Sequence, residues 1–241
     1  MSDTIGVIGA TRGTGLEVMR QLIASGRPAV AVARNLEKAR GLFGDKATLV
    51  YGDVTRPETL AEAIDPAWAG LVFTVDISGG IGGRGMFAGR ESIRAVMYGG
   101  LVNAVEAAKK RGFTGRVVLL STIGLSIDST SMKILNWIKS GLRDHSLDKG
   151  EYLKRSGVEW TIVRAGILNN KAPGKHTLLV TGEDLPLQMR YQIGRADLAR
   201  LMLASVTHPA VRNREFSAFW GEAGHDSDEQ LAAKLATAFG A

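Results

Sequence analysis

The chain of 241 residues contains no cysteine, which excludes disulfide bonds, thiolate metal sites and cysteine nucleophiles. Its four histidines form no close pair, so we expect no zinc site and no bound metal. No apolar run approaches the roughly 20 residues of a membrane span, and the first residues lack the pattern of a signal peptide. These absences predict a cytoplasmic protein with no membrane partner.

Aromatic side chains make up only 6% of the chain, and the basic residues behind the net charge of +6 are scattered. A nucleic-acid surface of interleaved basic and aromatic residues is therefore not expected. The positive balance suits a small anionic ligand better.

Short apolar runs rich in Val and Ile alternate with stretches of helical spacing over the first 165 residues. Such runs are typical of buried parallel strands, and their alternation with helices predicts βαβ units. The predicted strands cover residues 5–8, 29–33, 48–51, 71–75, 116–120 and 160–163. The fold class is therefore α/β, a Rossmann-type doubly wound parallel sheet.

The pattern is less regular after residue 165. Residues 195–203 and 228–239 read as helices, and residues 215–220 read as a strand. Because residues 166–241 are too few for a comfortable second domain, we predict one domain over 1–241. In this prediction, residues 1–165 form the cofactor-binding core, and the remainder is a small extension that packs on the strand ends and shapes a substrate cleft.

Residues 9–15 read GATRGTG between the first strand and a helix that starts at Leu16. Gly9 would allow a tight turn, Gly13 would let backbone N–H groups approach a pyrophosphate, and Gly15 would let the helix pack closely on the strand. A purely structural turn is the alternative. The candidate cofactor ligands in this loop are Gly9, Thr11, Arg12, Gly13, Thr14 and Gly15.

No Asp or Glu ends the second strand, where an NAD-preferring site usually carries one. Arg34 stands there instead, and together with Arg12 it could clamp a 2′-phosphate, so we predict NADP(H) as the cofactor. A solvated charge is the alternative for Arg34. After the third strand, the Asp53 carboxylate could accept from the adenine amino group while Val54 packs on the ring, or Asp53 could cap the next helix.

These segments resemble the atypical short-chain dehydrogenase/reductase superfamily, with the NAD(P)-binding NmrA-like proteins and the biliverdin-IXβ/flavin reductases as its nearest groups. The resemblance covers residues 4–200. It rests on residues 9–15, 52–54, 98–103, 117–124 and 151–166. It implies the fold and dinucleotide binding, but it does not specify the substrate.

The resemblance also implies a catalytic Ser at the end of the fifth strand and a Tyr-x-x-x-Lys on the next helix, one turn apart. Ser121 and Thr122 offer hydroxyls at the strand end, Thr122 being the better match in register. No Tyr-x-x-x-Lys occurs in the chain. His145 occupies the Tyr position as a general acid, and Lys149 would hold the nicotinamide ribose; a surface histidine and a solvated lysine are the alternatives.

The remaining candidates lie along the expected cofactor path. Val75 and Asp76 follow the fourth strand, and the resemblance implies that backbone groups of Ala165 and Gly166 meet the nicotinamide amide. The glycine-rich residues 78–87 read as a mobile flap or, less simply, a second phosphate cradle. The apolar residues of 125–144 would line a pocket for a flat or aliphatic substrate, or form ordinary helix core or a dimer face.

Three functions follow as hypotheses. The first is an NADPH-dependent reductase of an apolar carbonyl or conjugated small molecule, such as a quinone, flavin, enone or tetrapyrrole. The second is a non-catalytic NADP(H) sensor of the NmrA-like kind, which would explain the missing Tyr. The third is a cofactor-bound isomerase or epimerase. A small-molecule substrate is expected in the first case, and a homodimer is left open.

Overall fold

The computed structural model describes residues 3–76, 89–138 and 141–240. The glycine-rich residues 78–87 lie outside the described residues, so their predicted role is untested. One large sheet has the strand order β3-β2-β1-β4-β5-β6-β10-β8, and all neighbours pair in parallel except β10 and β8. A second sheet pairs β7 with β9. The strands are β1 (Ile5–Ile8), β2 (Ala29–Ala33), β3 (Thr48–Tyr51), β4 (Gly70–Phe73), β5 (Arg116–Thr122), β6 (Glu159–Ala165), β7 (Ile167–Asn169), β8 (His176–Thr181), β9 (Gln192–Gly194) and β10 (Arg214–Ala223).

Helices cover both faces of the large sheet, as a doubly wound fold requires. The helices are α1 (Gly13–Ala24), α2 (Leu36–Phe43), α3 (Pro57–Ala63), α4 (Arg90–Arg94), α5 (Gly100–Lys110), α6 (Thr130–Ile138), α7 (Leu142–Arg155), α8 (Arg195–Thr207) and α9 (Asp228–Phe239). Helices α1, α2, α8 and α9 contribute to the core on one face, and α3, α5 and α7 to the core on the other. A π-helical turn joins α4 to α5, and a short 3₁₀ helix follows α8.

The predicted strands of the core are all present. The first three have the expected bounds, because a short apolar run between turn residues leaves little choice of limits. The fourth ends at Phe73 rather than residue 75, because its pairing with β1 stops at Ile8, where β1 itself ends. Strands β5 and β6 are longer than predicted, because they pair with each other over seven residues.

The C-terminal residues do more than pack on the strand ends. Strand β10 pairs in parallel with β6, and β8 completes the edge in antiparallel orientation, so the extension enlarges the central sheet. Strands β7, β8 and β9 were not predicted, because two have only three residues and β8 mixes buried with exposed positions. Helix α8 packs along α1, as its buried apolar positions require.

The strand order reverses between β1 and β4. From β1 the chain moves outward to β2 and β3, and then crosses to β4 and onward in the other direction. Ligands of open α/β sheets bind in the crevice beyond the carboxyl ends of the strands at such a point. The segments that follow β1 and β4 therefore define where a cofactor would lie.

Neither a membrane span nor a metal centre is found among the described residues. No helix in this part of the chain is both long and apolar enough to cross a bilayer. No group of three or more metal-ligating side chains converges there either. The cytoplasmic location remains a prediction.

Candidate active site

The phosphate loop is packed tightly on the carboxyl end of β4. Gly9 has φ +92°, and a Cβ built on it would lie 2.6 Å from the Thr74 hydroxyl. A Cβ on Gly15 would lie 2.3 Å from the Gly9 carbonyl oxygen. Neither position has room for a side chain, which agrees with the tight turn and the close helix packing expected of these two glycines.

The N-terminus of α1 offers backbone donors that have no side-chain cap among the described residues. Arg12 is the N-cap residue, its side chain makes no capping bond, and the first turn contains no acidic residue. The Thr14 hydroxyl is buried without a hydrogen-bond partner among the described residues. Free N–H groups and the positive end of the helix dipole favour an anion. These residues fit the pyrophosphate of a dinucleotide.

Arg12 and Arg34 extend to different sides of β1. The Arg12 guanidinium donates to the Asp76 carbonyl at 2.6 Å, which ties the phosphate loop to the segment after β4. Arg34 follows β2, on the opposite side of β1, and is exposed. The sequence predicted that both would clamp one 2′-phosphate. In the structure the Arg12 guanidinium turns toward the segment after β4 and away from the end of β2, and the 2′-phosphate role of both arginines remains a prediction.

The turn after β3 is stabilised by hydrogen bonds within the turn and by a hydrogen bond from α5. Oδ1 of Asp53 accepts hydrogen bonds from the N–H and the hydroxyl of Thr55, so this carboxylate does stabilise the turn before α3. Asn103 donates its side-chain amide to the Val54 carbonyl at 2.8 Å. A Cβ on Gly100 would lie 2.9 Å from Val54, so glycine is needed there. These contacts fix the wall on which an adenine ring is expected to pack.

Lys149 and His145 lie inside the protein, on the face of α7 that packs on the sheet. Lys149 is 3% exposed and His145 1% exposed, which excludes the alternatives of a solvated lysine and a surface histidine. Burial lowers the pKa of Lys149, and the Asp76 carboxylate opposes that shift. Because α7 runs antiparallel to the strands, its first turns lie at the carboxyl edge of the sheet. Asp76, Lys149 and His145 are thus brought together at the predicted nicotinamide end.

Strand alternation separates the two candidate hydroxyls at the end of β5. Leu119 belongs to the core under α7, whereas Val118 belongs to the core under α8. With a side-chain period of two, Ser121 shares the α7 face with His145 and Lys149, and Thr122 points to the other face. The Thr122 hydroxyl contacts the Ala165 carbonyl at 3.5 Å. The geometry favours Ser121, although sequence register had favoured Thr122.

The backbone after β6 is largely engaged within the protein. The Gly166 N–H donates to the Ala218 carbonyl at 2.9 Å, and the Ala165 carbonyl accepts from the Ile123 N–H at 3.1 Å. A contact from Gly166 to the nicotinamide amide would therefore use its carbonyl and not its N–H. Val75 packs partly against the core under α7 and lines the approach from β4.

Asp184, in the C-terminal extension, supports the segment that follows β5. No sequence pattern predicted this role. Its two carboxylate oxygens accept from the Gly124 N–H at 2.7 Å and the Ser126 N–H at 2.8 Å. Thr74 was also missed; its hydroxyl lies 3.2 Å from the Ile8 carbonyl, beneath the phosphate loop. Both are ordinary polar residues in irregular segments, and only the tertiary fold brings them to the site.

The apolar residues of 125–144 do not all line one pocket, because some are buried and others are exposed. Met132 is buried and Leu135 partly buried, whereas Ile134 is 53% and Trp137 83% exposed. Residues 139–140 and the Ile138 side chain lie outside the described part of the chain. Helix core thus accounts for Met132 and Leu135. The exposed Ile134 and Trp137 leave open both a substrate lining and a dimer face.

Comparison with known proteins agrees with this geometry. A model of the NAD(P)H-binding family matches residues 9–209. The chain belongs to this family. Over 221 residues it is 35% identical to an uncharacterized chloroplastic protein of Arabidopsis thaliana, At2g34460, covering 88% of this chain and 72% of that one.

Two other curated proteins of similar sequence are longer than this chain. Sanguinarine reductase of Eschscholzia californica is 35% identical over 120 residues, which cover 48% of this chain and 42% of the reductase. The photosystem II assembly factor Ycf39 of Synechocystis sp. is 24% identical over 88% of this chain and 63% of that protein. The chain thus spans less than two thirds of the length of both.

Solved structures share the fold at low sequence identity. The oxidoreductase ylbE of Lactococcus lactis superposes with a TM-score of 0.75 at 18% identity, covering 97% of this chain and 95% of that one. ChuY, an anaerobillin reductase of Escherichia coli O157:H7, has a TM-score of 0.71 at 21% identity, covering 91% of this chain and 98% of that one. A short-chain dehydrogenase/reductase of Veillonella parvula in complex with NADP has a TM-score of 0.70 at 15% identity, covering 95% of this chain and 98% of that one.

NAD(P)H binding by this family member should depend on Gly13, whose φ is +54°. We expect Gly13→Ala to weaken NADPH binding at least tenfold, because alanine strains this conformation and shifts the N–H groups that face the pyrophosphate. The measurement is a calorimetric or fluorescence titration of NADPH into the purified variant.

Gly26→Ala is the matched control. Gly26 has a similar φ of +67°, nothing within 4 Å of a built Cβ, and a place at the other end of α1. Both variants should lose a similar stability, about 1 kcal/mol, but only Gly13→Ala should lose affinity. Equal affinity in the two variants would mean that the loop is only a structural turn.

Burial of Lys149 should cost stability at neutral pH. Its folded pKa lies below its ordinary value of 10.5, so the unfolded chain binds more protons between the two values and stability rises with pH there. We expect Lys149→Met to raise the melting temperature at pH 7 by about 2–4 °C, the shift that about 1 kcal/mol produces in a chain of this size. The gain should shrink as the pH approaches 10.5.

Lys154→Met on the same helix should behave in the opposite way. Although burial lowers the pKa of Lys154, hydrogen bonds to Glu215 and Glu151 raise it overall, so removing this lysine should destabilise the protein at pH 7. Thermal melts at pH 7 and pH 10 compare both variants with the wild type. A lower melting temperature for Lys149→Met at pH 7 would show that Asp76 more than offsets the cost of burial.

Proposed function

We propose that the protein is an NADPH-dependent reductase of an apolar carbonyl or conjugated small molecule, of the quinone, flavin, enone or tetrapyrrole type. The observation that carries this proposal is the buried Lys149 beside Asp76, at the carboxyl edge of the sheet next to the strand-order reversal. A buried lysine is costly, and such costs are concentrated at functional sites. A dinucleotide laid along the crevice would reach this position with its nicotinamide end.

The bound cofactor would supply a hydride, and the protein would supply position and a proton. Lys149 would donate hydrogen bonds to the nicotinamide ribose. Ser121, on the same face, would orient the substrate oxygen, with Thr122 as the alternative hydroxyl. His145, one helical turn from Lys149, would act as the general acid. For flavin-like or tetrapyrrole substrates water could replace His145, since the proton need not come from a fixed group.

The relatives agree with reduction as the reaction class. One curated relative is a sanguinarine reductase, and one structural neighbour is an anaerobillin reductase. Both proteins are named as reductases. For this chain we propose an apolar small-molecule substrate and a cytoplasmic location.

A non-catalytic NADP(H)-binding role is the second candidate. The observation that favours it is the absence of a tyrosine from the position one turn before Lys149, which His145 occupies. Ycf39, named as an assembly factor, shows that a relative can carry a name outside catalysis. In this role the exposed Ile134 and Trp137 of α6 would suit a protein contact or a homodimer.

NADPH oxidation across a panel of quinones, flavins, enones and tetrapyrroles separates the two candidates. The absorbance of the reduced nicotinamide is followed with the enzyme saturated in cofactor. Turnover of at least one compound, with product formed in equal amount to NADPH lost, supports the reductase. Tight NADPH binding without turnover on the whole panel would contradict it and favour the non-catalytic role.

Arg34 should give the preference for NADPH over NADH. We expect NADPH to bind at least tenfold more tightly in the wild type, since a charge-assisted contact to the 2′-phosphate contributes about 1.5–3 kcal/mol. Arg34→Ala should remove most of this ratio by weakening NADPH alone. Titrations of both cofactors test it, with Arg56→Ala, an exposed arginine after β3, as the control. Equal wild-type affinities would refute the preference.

His145 should affect turnover more than cofactor binding. On the substrate found by the panel, His145→Gln should lower kcat by about 10²–10⁴-fold while NADPH affinity stays within a few fold, because a positioned acid acts in the chemical step. Lys149→Met should weaken both together. The exposed His225 provides the control variant His225→Gln. Unchanged kcat in His145→Gln would assign the proton to solvent or to a hydroxyl of β5.

A further inference from the structure

Arg195 stands beside the phosphate loop, although it belongs to the C-terminal extension. It is the first residue of α8, which packs along α1. The side-chain amide of Gln21 donates to the Ala196 carbonyl at 2.7 Å, which fixes the start of α8 next to α1. The side chain of Arg195 is therefore presented at the same edge of the sheet as the loop.

The guanidinium of Arg195 is the group that faces Gly13. A Cβ built on Gly13 would lie 3.7 Å from Nε of Arg195 and, apart from its chain neighbours and the backbone of its own helix, would meet no other heavy atom of the described residues within 4 Å. Nη1 of Arg195 donates to the Asn170 side-chain oxygen at 2.8 Å. Among the residues that the structure describes, no carboxylate forms an ion pair with Arg195. The charge thus lies beside Gly13, the glycine of this loop that is exposed.

The other arginines near the crevice are placed for different contacts. Arg12 donates to the Asp76 carbonyl, on the β4 side. Arg34 follows β2, at the ribose end. Two phosphate groups carry two negative charges, whereas the N-terminus of α1 supplies only about half a positive charge. A further cation would therefore stabilise a dinucleotide pyrophosphate over Gly13, and the Arg195 guanidinium lies beside this glycine.

We propose that Arg195 is a ligand of the cofactor's pyrophosphate, closing over the phosphate loop from the C-terminal extension. This inference rests on the NAD(P)H binding of the family, and on neither the reductase activity nor the preference for NADPH. It gives the extension a direct part in cofactor binding. It also gives a reason for glycine at position 13, since the side chain of a larger residue would displace the guanidinium.

The test compares two cofactors that share the pyrophosphate and differ in the 2′-phosphate. Arg195→Ala should weaken NADPH and NADH by the same factor, about tenfold to 100-fold, as expected for loss of a charge-assisted hydrogen bond. Arg195→Lys, which keeps the charge, should lose less. Arg111→Ala, which removes an exposed charge at the C-terminus of α5, should leave both affinities within twofold.

A second variant separates a ligand from a structural support. Asn170→Ala removes the hydrogen bond that Asn170 makes to the guanidinium, and it should leave both affinities within about threefold. If Asn170→Ala reproduces the full loss, Arg195 acts only by bracing the loop and the proposal is wrong. Unchanged affinity in Arg195→Ala, or a loss confined to NADPH, would also overturn it. Because the readout is binding, failure to find a substrate would not affect the result.

Discussion

The close approach of α1 to β1 and β4 is the constraint on which the site depends. Gly15 comes so near to Gly9 that a single Cβ would collide with the Gly9 carbonyl, and the Thr74 hydroxyl fills the space beside Gly9. This packing aims the uncapped N-terminus of α1 into the crevice where the strand order reverses. A side chain that capped the N-terminus of α1, or one that filled the crevice, would remove the anion site.

The crevice also brings charged groups together inside the protein. Lys149 is buried where its charge is costly, and the Asp76 carboxylate is the charge that opposes the loss of its proton. Arg12 in turn donates to the carbonyl of Asp76, so the loop after β1, the segment after β4 and helix α7 meet at one residue. Polar groups held in this way are pre-organised for a ligand.

The core of the fold was predictable because its signals are local. Apolar runs between turn residues predicted β1, β2 and β3 to the residue, and the glycine spacing of residues 9–15 predicted the tight turn from β1 into α1. That Lys149 and His145 share one face of a helix followed from helical spacing, whereas their burial is seen only in the structure. Strands β7, β8 and β9 were not predictable, since their short and mixed sequences become strands only when the rest of the sheet provides partners.

The polar contacts of the site were less predictable than its elements. Nothing in the sequence indicates that the Arg12 guanidinium bonds to Asp76, that Asp184 holds the segment after β5, or that Arg195 faces Gly13. Each joins residues more than 50 positions apart. The choice between Ser121 and Thr122 likewise needed the register of β5 against β6, which shows the face that each occupies.

A crystal structure of the complex with NADP⁺ tests the central claim most directly. We expect the pyrophosphate over the N-terminus of α1, the adenine against Val54 and the nicotinamide ribose within hydrogen-bond distance of the Lys149 ammonium. A dinucleotide bound along this crevice with Lys149 turned away would contradict the proposed reductase site. A dinucleotide bound anywhere else on the molecule would contradict the account as a whole.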